Sequence, residues 1–146
     1  MIAEQGLKEW HRIVRGMTPE ALDEVLAEDV VFHSPVVHTP QEGRAITKIY
    51  LMAAFNVLPG AAKSEASTGG DQKTKFKYVR EVVDDKDVVL EFMTEVDGIT
   101  INGVDMIKWN DEGKIIEFKV MIRPLKAIQK LHAQMGAMLK AMESAS

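Results

Sequence analysis

The sequence predicts an α+β fold: a cone-shaped roll in which a curved, mostly antiparallel sheet packs on three N-terminal helices, with a C-terminal helix after it. Three observations predict it. Apolar residues recur at helical spacing before Pro59, alternate along the strands between Phe76 and Ile122, and return to helical spacing after Pro124. The alternating half is interrupted only by short polar turns at Asp84–Asp87, Asp97-Gly98 and Asn110–Gly113, the mark of a meander. The chain has 146 residues, enough for one domain with a real core, so 1–146 reads as one unit with 123–146 as a helical extension.

The elements follow in order. Residues Glu4 to Gly16 place Leu7, Trp10, Ile13 and Val14 on one side of a helix. Thr18-Pro19-Glu20 is a helix start, with an N-cap hydroxyl and proline at the first helical position; Leu22, Val25 and Leu26 form the stripe. A short strand covers Asp29 to Ser34 and stops at Pro35, and Val36 to Pro40 form a loop. A third helix runs from about Glu42 to Leu58, with Ile46, Ile49, Tyr50, Ala53 and Val57 inward. Residues Ala61 to Lys75 form a polar loop, which lacks the lysine and hydroxyl residue of a phosphate loop after Gly69-Gly70. Strands are expected at Phe76–Val83, Val88–Val96, Thr100–Trp109 and Lys114–Ile122. The last helix carries Leu125, Ile128, Leu131, Met135, Met138 and Leu139.

Composition narrows the function classes. The net charge is −4 with both signs interspersed, which argues against a nucleic-acid partner. With no cysteine, disulfide scaffolds, thiolate zinc sites and thiol nucleophiles drop out. Glu4, Lys8 and Glu9 interrupt the first residues, so no signal-peptide core is expected, and no apolar run approaches the ~18–20 residues of a membrane span. A cytoplasmic protein is expected, with no membrane partner.

The candidate site lies in the last hairpin. Asp105, Ile107 and Trp109 share one strand face, and Val104, Met106 and Lys108 share the other. Across the turn, Ile116, Phe118 and Val120 should face the same hollow. A carboxylate in line with isoleucine and tryptophan is either paired or held protonated, and both cases suggest a site. It works in acid–base chemistry or donates a hydrogen bond to a ligand oxygen; otherwise it is satisfied by backbone or by Lys108. No inward-facing basic residue stands near it in either strand, so burial should raise its pKa.

The run Leu26-Ala27-Glu28-Asp29-Val30-Val31-Phe32-His33-Ser34-Pro35, the helix opening Glu42-Gly43-Arg44-Ala45-Ile46, and Asp105-Met106-Ile107-Lys108-Trp109-Asn110-Asp111-Glu112-Gly113-Lys114-Ile115 resemble the nuclear-transport-factor-2-like superfamily. Within it they resemble the SnoaL-like branch of polyketide cyclases and the ketosteroid isomerases, over roughly residues 5 to 123. The resemblance implies a cofactor-free pocket for an apolar small molecule and a homodimer through the outer sheet face, where Val89, Met93, Val104, Met106, Ile115 and Met121 stand. It places Asp105 at the protonated oxyanion-hole aspartate of the isomerases. It places Ser34 where those enzymes carry the catalytic aspartate, and Trp10 near the oxyanion-hole tyrosine. A serine does not shuttle a proton as a carboxylate does, and an indole N–H only donates. The same fold hosts isomerases, cyclases and non-enzymes.

Trp10, Tyr50, Phe92, Trp109 and Phe118 are candidate cavity walls, or simple core. His33 and His38 bracket the loop at the pocket mouth, either as acid–base groups or as surface histidines; strand parity turns His33 outward. Their spacing offers no metal site. The residues therefore allow a pocket protein for an apolar or polyketide-like carbonyl compound, an isomerase or cyclase built on Asp105. They also allow a non-catalytic ligand binder, or a protein-interaction module with a filled core.

Overall fold

A computed structural model describes residues 1–16, 19–58 and 76–145. It contains α1 (Ile2–Gly16), α2 (Pro19–Val25), β1 (Leu26–His33), β2 (Gln41–Glu42), α3 (Arg44–Val57), β3 (Lys77–Asp84), β4 (Asp87–Val96), β5 (Ile99–Trp109), β6 (Ile115–Arg123) and α4 (Leu125–Ala145). The six strands form one curved, unclosed sheet in the order β2-β1-β6-β5-β4-β3. The meander β3 to β6 is antiparallel throughout. The predicted Thr18 cap and the loop at Ala61–Lys75 lie outside the described residues.

The alternation predicted for the meander is realised. Along β4, Val88, Leu90, Phe92, Thr94 and Val96 are buried, and the residues between them are half-exposed. Along β5, Ile101, Gly103, Asp105, Ile107 and Trp109 are buried on the same inner face. The turn after β5 has Gly113 at φ 78°, a left-handed conformation that costs glycine little. The helices pack on the inner face, and α1 contributes Ala3, Leu7, Trp10 and Ile13 to the core.

Several expectations need correction. Strand β1 begins at Leu26, so α2 is a short helix and Leu26 belongs to the strand. The edge strand β2 was not anticipated, because two residues carry no periodicity; Glu42 pairs with Val31 there. β1 lies parallel to β6, a long-range pairing that local pattern does not encode. In β6 a register shift opposite Lys108 and Trp109 pairs Trp109 with Ile115. Ile115 is therefore buried rather than on the outer face, and Ile116 leaves the inner row that Phe118 and Val120 keep. A bulge inverts the side-chain alternation on one side of it.

Helix α3 buries Thr47, Leu51 and Ala53, while Ile49 is 40% exposed. The helix is apolar on most sides, so its spacing alone did not select one face. In α4, Ala127 and Leu131 are buried and Leu125 points outward. The outer sheet surface shows Val79, Val82, Met106 and Met121 to solvent.

Candidate functional site

A cavity opens between the inner face of the sheet and the helices. It is walled by Trp10 and Val14 of α1, Phe32 of β1, Leu51, Ala54, Phe55 and Leu58 of α3, Phe92 of β4, Val120 and Ile122 of β6, and Leu131 and Met135 of α4. Asp105, Phe118, Tyr78, Phe76 and the segment Ser34-Pro35-Val36 complete the lining. About 80 Å³ is free for the centres of water-sized groups. One water needs roughly 10–15 Å³ on such a measure, so several non-hydrogen atoms fit. Among the described residues, no lysine, arginine or histidine lines it.

Among the described residues, Asp105 is the carboxyl group that lines this apolar space. It is 7% exposed, and its Oδ2 accepts a hydrogen bond of 2.8 Å from the Tyr78 hydroxyl. Tyr78 in turn accepts a 3.2 Å bond from the indole Nε1–H of Trp10. Three elements therefore converge: β5 supplies the carboxyl, edge strand β3 the phenol and α1 the indole. Burial pushes the Asp105 carboxyl up to about 7, and the Tyr78 hydrogen bond works against that rise. Burial and then the Asp105 charge push the Tyr78 hydroxyl well above the ordinary phenol value. With a pKa near neutrality, Asp105 holds both protonation states in workable amounts, as acid–base chemistry requires.

Of the residues singled out in the sequence, Asp105, Trp10, Ser34, Phe92 and Phe118 are brought together around the cavity. The rest are elsewhere. Tyr50 packs against Phe32 at a ring separation of 5.4 Å and is not among the lining residues. Trp109 is buried in the core under α1, where its ring occupies the space a side chain on Gly6 would need. His33 faces Glu117 at 3.1 Å across the β1–β6 pair, and His38 is exposed in the loop. The parity that turned His33 outward agrees with this placement. The Ser34 hydroxyl oxygen accepts the Val36 N–H at 3.1 Å, a local turn that holds the loop at the cavity.

Two placements were not foreseen. Tyr78 was read only as part of a strand, although Phe76 and Tyr78 alternate as aromatics on one face, a signal for an inward pair. A register shift between Tyr78 and Arg80 then ends that alternation. The Trp10 N–H, which the resemblance sets near the oxyanion-hole tyrosine, donates to Tyr78. Among the described residues, no group of three His, Asp or Glu side chains could hold a metal ion.

The fold and cavity define a class: a cone-shaped α+β roll with an apolar cavity and a buried carboxyl group on its lining. No protein-family model and no curated protein sequence matches the chain. Solved structures do. A steroid delta-isomerase from Pseudomonas aeruginosa superposes with a TM-score of 0.84 at 30% identity, over 98% of this chain and 95% of that one. An NTF2-like protein of unknown function from Mesorhizobium loti gives 0.66 at 18% identity, over 84% and 92%. The epoxide hydrolase/cyclase-like enzyme SalBIII, which acts in pyran ring formation in salinomycin, gives 0.61 at 21% identity, over 84% and 95%. The last two share the fold. The chain belongs to the nuclear-transport-factor-2-like superfamily and has its SnoaL-type fold. No helix among the described residues is long and apolar enough to cross a membrane.

Proposed function

We propose that the protein binds an uncharged, apolar carbonyl compound in this cavity and that Asp105 moves a proton on it, as an isomerase or cyclase. The observation that carries this reading is the Asp105 carboxyl, enclosed by apolar walls with a pKa of about 7. Ionised, it accepts a proton from an acidified C–H or O–H. Protonated, it returns that proton, or donates a hydrogen bond to the carbonyl or enolate oxygen. With no cation among the described lining residues, a ligand carboxylate or phosphate would find no counter-charge from them. The likeness to a steroid delta-isomerase makes unsaturated ketones the class to test, with slow turnover of a 5-ene-3-ketosteroid itself expected because the resemblance puts Ser34 at the position of the base.

A second reading is a non-catalytic binder in the same cavity. It is favoured by Ser34, which the resemblance matches to the catalytic aspartate of the isomerases of this fold and which lines the cavity. A panel of apolar unsaturated ketones, followed by ultraviolet absorbance for double-bond movement and by Trp fluorescence for binding, separates the two. Turnover that falls by about 10²–10⁴-fold in Asp105→Asn supports the enzyme. Binding without turnover supports the second reading, and neither binding nor turnover across the panel overturns both.

We further propose that the molecule is a homodimer through the outer sheet face, where Val82 and Met121 are each about half exposed, at 52% and 51%.

A further inference from the structure

The hydrogen-bond chain from Trp10 to Asp105 has a fixed direction. An indole N–H can donate and cannot accept. A phenol oxygen has one proton and one in-plane lone pair, so two hydrogen bonds in its ring plane use both. Trp10 donates to the Tyr78 oxygen at 3.2 Å. The in-plane lone pair is then taken, and the Tyr78 proton is directed to the remaining partner, Asp105 Oδ2, at 2.8 Å. Tyr78 is the one side chain hydrogen-bonded to Asp105 among the described residues.

We propose that Trp10 is a positioning residue: its donor-only indole locks the Tyr78 hydroxyl onto Asp105 Oδ2 and leaves Asp105 Oδ1 as the atom that meets the ligand. The inference rests on the reading of Asp105 as the proton-carrying group of the cavity and deepens it. When Asp105 is neutral its proton resides on Oδ1, because Oδ2 is already accepting. Tyr78 has no second proton to offer, so it stabilises the carboxylate and does not touch the ligand oxygen. One carboxyl oxygen then serves one ligand oxygen. A ketone or enol fits this geometry. A carboxylic acid or primary amide, which would use both carboxyl oxygens, must displace Tyr78.

The test uses the ligand-free protein, so its outcome is independent of whether any substrate is found. The chain has two tryptophans, which makes Trp109 an internal control. The indole N–H resonance of Trp10 should move with pH at the same midpoint as the Asp105 carboxyl carbon, while that of Trp109 stays flat. In Tyr78→Phe the link is cut, and the Trp10 resonance should lose this response. In Trp10→Phe the Asp105 midpoint should rise by roughly 0.5 pH unit, because Tyr78 becomes a weaker donor. His11 and Glu81 are the other titratable groups facing Tyr78, His11 with its ring 5.6 Å away and paired to Glu81 at 2.7 Å. A His11→Gln variant removes the imidazole as a source of the signal, and the Trp10 response should persist in it. A Trp10 resonance that is flat in the wild type, or that still titrates with Asp105 in Tyr78→Phe, overturns the proposal even if Trp10→Phe does not fold. For ligand preference, 2-acetylnaphthalene should bind at least tenfold more tightly than 2-naphthamide in the wild type, and that ratio should shrink in Tyr78→Phe. Equal binding of the two by wild-type protein counts against the single free oxygen.

Discussion

Gly103 lies directly opposite Phe92 in the β4–β5 ladder, and a methyl group on it would come within 2.5 Å of Phe92 Cζ. The same methyl would stand 2.7 Å from the Met121 carbonyl oxygen. The glycine thus lets the Phe92 ring lie back against the strand, two residues along the inner face from Asp105. The ring stacks on Phe76 at 5.1 Å and walls that end of the cavity.

Gly103→Ala should therefore destabilise the protein by about 1–3 kcal/mol, an overpacking cost. It should also weaken the binding of large ligands more than small ones, because Phe92 is pushed into the cavity. Phe92→Leu in the same chain should restore part of the loss; the contact with Met121 remains. Urea unfolding of the three variants measures this, and a Gly103→Ala protein as stable as wild type would show that the strands shift freely.

The pH dependence of stability should carry the mark of Asp105. Its folded pKa, about 7, lies above the ordinary 3.8. A carboxyl raised in this way gives its full stabilisation at low pH, where it is protonated in both states. That stabilisation is lost as pH rises from about 4 to about 7. Asp105→Asn does not titrate. The stability of the variant relative to wild type should grow between pH 4 and pH 8 by at most about 4 kcal/mol. Denaturant melts at the two pH values decide it, and a constant difference would mean that the carboxyl is hydrated in solution.

The position of Ser34 gives a gain-of-function experiment. Wild-type protein should move the double bond of a 5-ene-3-ketosteroid no faster than a few times the buffer rate, since serine cannot act as the base. Ser34→Asp places a carboxylate on the cavity lining and should raise that rate by about 10²-fold or more. Wild-type turnover that survives Ser34→Ala but not Asp105→Asn would instead make Asp105 the base.

The outer sheet face should hold a dimer. Light scattering at micromolar concentration should give twice the chain mass, and Val82→Glu with Met121→Glu should return it to one. A wild-type monomer at that concentration would leave the exposed Val79, Val82, Met106 and Met121 surface without this role.

The meander was legible residue by residue. Period-two alternation from Val88 to Trp109 marked which side chains go inward, and Asn110–Gly113 marked the turn, because both signals are local and repeated. Asp105 could be picked out for the same reason, as a carboxyl in phase with Ile107 and Trp109. The resemblance in the Leu26–Pro35 and Asp105–Ile115 runs supplied the rest of the fold.

What the chain's local pattern could not decide was everything set by distant neighbours. The bulge that turns Ile115 inward and Ile116 out of the cavity row appears only when β5 and β6 are in register. The parallel pairing of β1 with β6 joins segments far apart in sequence. Trp109 and Tyr50 have the same character as Trp10 and Phe118, yet the first is sealed beneath Gly6 and the second packs on Phe32 without lining the cavity. Periodicity says that an aromatic points inward; packing of the helices decides whether it meets the core or the cavity. The partner of Asp105 is the clearest case. Tyr78 is 27 residues away and Trp10 a further 68, and they meet only because α1 crosses the inner face of the sheet opposite β3 and β5. The sequence alone put a carboxyl in phase with an apolar strand face; tertiary structure decided that it is buried and which donor it faces, because a hydrogen bond depends on distance and direction in space, which local spacing does not record.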